Sequence, residues 1–125
     1  MASNGTPTLT VQDNSGRVTV LGPEVIRECK FLANVAADST EVCKVLVEAE
    51  VLDFVVEFSM LFKDDPDYTT INGTPIDAPE WDTSPAMQFF TCFDIIEILR
   101  LMNHFDYLEA ERLIDHGIFY IRRQI

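Results

Sequence analysis

Thr8-Leu9-Thr10-Val11-Gln12-Asp13-Asn14-Ser15-Gly16-Arg17-Val18-Thr19-Val20-Leu21 sets this chain apart from an all-helical one. Apolar and polar residues alternate through both halves, and β-branched residues are frequent. Asn14-Ser15-Gly16 supplies a turn between them. The pattern predicts two strands joined as a β-hairpin. Gly22-Pro23 closes it, and Pro23 suits the first position of a helix, where its missing N–H leaves no bond unmade.

Beyond the hairpin the chain reads mainly as helix. Glu24 to Ala37 predicts two short helical pieces, with Val25, Ile26, Phe31, Leu32 and Val35 turned to a core. Asp38-Ser39-Thr40 interrupts the pattern. Glu41 to Val47 is rich in valine and predicts a short third strand. Ala49 to Phe62 predicts a helix whose polar residues Glu50, Asp53 and Glu57 share one narrow stripe. The rest of it is apolar over an arc of roughly 260°, against about 100° for an ordinary surface helix. Ser84-Pro85 predicts a helix start, with a short helix over Ala86 to Phe90. Phe93 to His104 repeats the wide-arc pattern, with Asp94, Glu97, Arg100 and His104 recurring every three or four residues. A third helix is expected from Tyr107 to near Ile125, with Arg122 and Arg123 favouring its C-terminal end through the helix dipole. The expected class is α+β. A small sheet, the hairpin plus a third strand, packs on a mainly helical body.

The chain has 125 residues, the size of one domain. Residues 1–7 are expected as a flexible tail and residues 8–125 as a single domain. Within it, residues 63–83 form an acidic loop: Asp64, Asp65, Asp67, Asp77, Glu80 and Asp82, three prolines, and no base after Lys63. That loop is expected to be mobile and solvated. The 21 acids against 9 bases give a net charge of −12. Such a surface is repelled by phosphate backbones and anionic lipid, so neither nucleic acid nor a membrane is an expected partner. Acids interrupt every apolar run before it reaches the length of a membrane span. The first residues lack the basic and apolar regions of a signal peptide. Cys29, Cys43 and Cys92 are odd in number and widely spaced, which predicts buried thiols in a reducing compartment, cytoplasmic or nuclear.

Few residues point to catalysis. His104 and His116 are the two histidines, more than three turns apart if they share a helix. Cys-x-x-Cys, His-Glu-x-x-His and Gly-x-Ser-x-Gly do not occur, and the five glycines never cluster. Asp64-Asp65-Pro66-Asp67 lacks the glycine and glutamate of a calcium loop. The expectation is a protein that is no enzyme, with no cofactor and no metal. What remains is a surplus of apolar helix surface, which predicts a protein–protein interface. Phe89, Phe90, Phe93, Phe105, Tyr107, Phe119 and Tyr120 are either its anchors or core residues.

Several motifs recur in order. Phe62-Lys63-Asp64-Asp65-Pro66 follows the first wide-arc helix, an acidic loop comes next, then Trp81-Asp82. The second wide-arc helix runs into Asn103-His104-Phe105-Asp106. With Gly22-Pro23-Glu24-Val25-Ile26 and the hairpin, the chain from about residue 8 to 125 resembles the Skp family. Members of that family are small adaptors of Skp–cullin–F-box ubiquitin ligases with a BTB/POZ fold. The resemblance implies a non-catalytic adaptor with cullin and F-box-type receptor proteins as partners. It places Asn103, His104, Phe105 and Tyr107 on the cullin-facing side. Ile96, Leu99 and Arg100 fall on a face for F-box binding or self-association. Family adaptors carry further C-terminal helices that make much of the F-box site, and the sequence here ends at Ile125. Family members usually have tyrosine where His104 stands. The alternative expectation is a diverged BTB scaffold that homodimerises and assembles other proteins without cullin.

Overall fold

The computed structural model describes residues 8–38, 42–65 and 79–124. The expected tail over 1–7 and the centre of the acidic loop lie outside the described residues. The class is α+β: six α-helices and one three-stranded sheet, mostly helical, among the described residues.

The hairpin forms where the alternation predicts it. β1 (Leu9–Gln12) pairs antiparallel with β2 (Val18–Leu21), with Leu9 opposite Leu21 and Gln12 opposite Val18. Asp13 organises the turn. Its carboxylate accepts from the Ser15 hydroxyl at 2.6 Å, the Ser15 N–H at 2.9 Å and the Arg17 N–H at 3.2 Å. The Ser15 hydroxyl does most to hold this carboxyl below its ordinary pKa. Gly16 has φ +89°, a left-handed conformation in which a Cβ would be strained. The third strand is shorter than the valine-rich run suggests. β3 (Cys43–Lys44) pairs parallel with β1, with Val11 opposite Cys43. Val45 N–H donates to Gln12 O and Asn14 N–H to Val47 O, both at 2.9 Å, so pairing continues past the regular strand.

α1 (Pro23–Glu28) and α2 (Lys30–Asp38) are the two expected pieces, broken where Cys29 takes an extended conformation. α3 (Ala49–Met60) is the central helix, burying Val51, Leu52, Phe54, Val55 and Phe58. α4 (Pro85–Gln88) starts at Ser84, whose hydroxyl accepts from Met87 N–H. α5 (Ile95–Leu108) opens with a capping box in which Asp94 and Glu97 each bond the other's backbone N–H.

Three expectations need correction. Tyr107 does not begin the last helix; it sits in the final turn of α5. The helix stops because Glu109 adopts a left-handed conformation (φ 57°), with Ala110 N–H donating to Phe105 O and Lys30 N–H to Glu109 O. α6 (Glu111–Gln124) follows, so His104 and His116 lie on different helices. The acidic loop is packed at both described ends. Arg27 donates to Phe62 O and, at 2.7 Å, to Asp65 O. Pro79–Thr83 is a 3-10 helix, and its Trp81 ring stacks on His116 at 3.9 Å. Asp82 accepts two bonds from Arg123, at 2.9 and 3.0 Å. Of the cysteines, Cys29 is buried, but Cys43 is half-buried and Cys92 exposed. Burial, with Glu28 adjacent, pushes the Cys29 thiol up to about 12.

The core gathers around Phe54. Its ring lies 5.5–5.8 Å from those of Phe89, Phe90, Phe93 and Phe105. A buried ion cluster sits at the α1–α6 contact, where Arg112 Nε is 3.0 Å from Glu28 and Nη1 is 3.5 Å from Asp65.

Candidate interaction surface

α5 has two faces of opposite character. Ile98, Leu101, Phe105 and Leu108 recur at three- and four-residue spacing and are buried. Roughly half a turn away, Ile96, Leu99, Arg100 and Asn103 form a second stripe with the same spacing, and all four are exposed. Ile96 is 79% and Leu99 50% exposed. Ile95 adds a flank at the start of the helix.

This stripe borders the corner between β3 and α3. Arg100 pairs with Glu48, and His104 Nε2 is 3.4 Å from the same carboxylate oxygen. Tyr107 Oη accepts from Leu46 N–H at 3.2 Å. Leu46 is 67% exposed because it alternates with Val45 and Val47, both buried. Val42 is exposed as well. The surface therefore combines an aliphatic stripe, an aliphatic corner, and one carboxylate shared by two basic side chains. Its chemistry is that of burial and hydrogen bonding.

Of the residues placed on the cullin-facing side by resemblance, Asn103 is exposed, and His104 and Tyr107 are half-buried. Phe105 is a correction. It is 0% exposed, four residues after Leu101 and seven after Ile98, and so points into the core. Ile96, Leu99 and Arg100 do share a face, and Asn103 continues it. Leu46 and Glu48 were missed as surface residues. The strand alternation of Val45-Leu46-Val47 is the signal that reveals Leu46. Glu48 gives none, because its partners are 52 and 56 residues away in sequence.

His116 belongs to a different environment. It is 3% exposed, stacked under Trp81, edge-on to Phe58, with Nδ1 2.8 Å from Arg112 O. A carbonyl only accepts, so Nδ1 carries the proton. Burial pushes this histidine down to about 4, with the Arg112 charge adding to the effect and the hydrogen bond to the Arg112 carbonyl opposing it. A cavity of about 330 Å³ adjoins it, lined by Phe62, Asp65, Trp81 and Arg112 among others.

Among the described residues, no three His, Cys, Asp or Glu side chains gather as a metal site, and no helix is long and apolar enough to cross a membrane. No family model and no curated protein matches this chain.

Proposed function

We propose that this chain is a non-catalytic adaptor, a BTB/POZ-type domain of the Skp kind that binds a cullin and, with it, receptor proteins of a ubiquitin ligase. The observation that carries the reading is the outward stripe of α5. Ile96 and Leu99 are held in water by a helix whose other face is fully buried. Apolar side chains that adjoin on one exposed helix face are the kind of surface on which a partner docks. The order of motifs, Lys63-Asp64-Asp65-Pro66, Trp81-Asp82 and the Asn103-His104 corner, supports a cullin as the partner through its resemblance to the Skp family. Asn103 and His104 touch the cullin directly. Phe105 supports them from the core.

The test is light scattering on the purified chain, alone and mixed with the N-terminal domain of a cullin from a Skp-type ligase. A one-to-one complex is expected. Replacing both side chains (Asn103→Ala with His104→Ala) weakens that complex at least tenfold and leaves the melting temperature unchanged, because neither side chain is in the core. Unchanged affinity in the double variant overturns the placement of the surface.

The same aliphatic stripe favours a second reading, a scaffold that homodimerises. Ile96 and Leu99 are the uncharged centre of the stripe, and self-association through them buries aliphatic surface on both copies. A particle of dimer mass that ignores cullin selects this reading.

A further inference from the structure

A second cleft lies away from the α5 stripe, between α3 and residues 88–93. Its volume is about 520 Å³, the size of a site that takes a few side chains. Its floor is Phe54, nearly buried and held from behind by Phe90 and Phe105 at 5.6 Å each. Phe89 and Phe93, both half-buried, form the opposite wall. These rings rest on Phe54 at 5.5 and 5.8 Å, so the apolar wall of this open cleft is held by the packed core beneath it.

The charged residues that line it are all acidic. Glu50, Asp53 and Glu57 stand along the α3 rim at spacings of three and four residues. Asp53 is paired with Arg17 at 2.8 Å. Glu50 and Glu57 have no ion-pair partner among the described residues. The facing rim carries Gln88 and Cys92, which bring no positive charge. An aromatic slot flanked by two free carboxylates matches a ligand with an apolar side chain between cations. Phosphate backbones and anionic lipid are repelled, and a second copy of a chain with net charge −12 meets like charge.

We propose that this cleft docks a short basic, apolar segment of a partner protein. A leucine or aromatic side chain enters between Phe89 and Phe93 above Phe54, and flanking lysine or arginine meets Glu50 and Glu57. The site goes beyond the adaptor reading and does not depend on it, since none of its residues lies on the outward stripe of α5. A chain that fails to bind cullin retains this cleft.

The experiment uses two labelled synthetic peptides with leucine and phenylalanine on one face. One carries lysine on both flanks, the other glutamate. Fluorescence anisotropy with the full chain reads affinity, and amide NMR shifts read location. The lysine peptide is expected to bind at least tenfold tighter than the glutamate peptide, to weaken as salt rises, and to shift the amides of Phe89, Cys92 and Phe93. Glu50→Gln with Glu57→Gln, both on the exposed face of α3, lowers its affinity by roughly tenfold at unchanged melting temperature. The proposal is overturned if neither peptide binds, if the two bind alike, if the double variant binds as the parent does, or if the shifts fall on Ile96 and Leu99.

Discussion

α3 and α5 carry similar loads of apolar residues and end in opposite situations. In α3 the exposed positions are Glu50, Asp53, Glu57 and Met60, so nearly every apolar side chain is covered. In α5 the exposed positions include Ile95, Ile96 and Leu99. The difference lies in the neighbours. α3 has α1 on one side, Phe89, Phe90 and Phe93 on another, and Phe105 of α5 and His116 of α6 beyond. Among the described residues α5 packs against α6, α2 and, through Phe105, α3, and its outer face meets no second wall. A wide apolar arc reports how much surface a helix offers for burial. It does not report whether the same chain supplies the cover.

The sharpest way to break that contrast is to truncate one side chain on each helix. Phe54→Ala removes the ring that packs against those of Phe58, Phe89, Phe90, Phe93 and Phe105. It is expected to cost about 3–5 kcal/mol, the range for deleting a buried aromatic. Leu99→Ala on the outer face of α5 is expected to stay within about 0.5 kcal/mol of the parent. Urea midpoints of the two variants measure both. Comparable losses mean that the α5 stripe is covered after all and the two helices are alike.

His116 carries the contrast into titration. His104 on α5 is partly open to water beside Glu48, whereas His116 is sealed between Phe58 of α3 and Trp81. The unfolded chain protonates His116 near 6.5 and the folded chain only near 4. Between those values the unfolded state holds the extra proton, so stability falls as pH drops from about 6.5 to about 4 and this contribution levels off below. At about 1.4 kcal/mol per pH unit the loss is about 3 kcal/mol. Thermal melts from pH 7 to pH 4 are expected to show it, and His116→Gln to flatten that part of the curve. A slope that survives in the variant assigns the titration to another group.

The sequence was legible where local rules act alone. Alternation placed the hairpin and Ser84-Pro85 placed the start of α4; the first helical run read as two pieces, and the structure puts the break at Cys29. It was silent where distant residues decide. Nothing local marks Glu109, neither glycine nor proline, as the end of α5; the bond from Lys30 N–H to its carbonyl is made across almost 80 residues. Trp81 in an acidic run reads as solvated until α6 brings His116 beneath it. The resemblance put Ile96, Leu99 and Arg100 on one face and Asn103 with Phe105 on another; only the packing shows that Asn103 continues the outward stripe and that Phe105 is buried.

The smallest expected effect on stability is the most informative about partners. Ile96 is the most exposed large aliphatic side chain among the described residues, and it sits one turn before Arg100 on the outward stripe. Ile96→Glu places an exposed carboxylate in the first turn of α5, one turn before Arg100, so the unfolding midpoint is expected to move by no more than about 0.5 kcal/mol. In any assembly that buries the stripe, the same carboxylate loses its hydration without a partner, a cost of several kcal/mol. Light scattering then separates the cases. A dimer that becomes a folded monomer places the self-association interface on α5. A monomer whose cullin complex is lost places the cullin contact there. A variant that keeps every assembly of the parent returns the stripe to ordinary surface, and the difference between α5 and α3 loses its functional meaning.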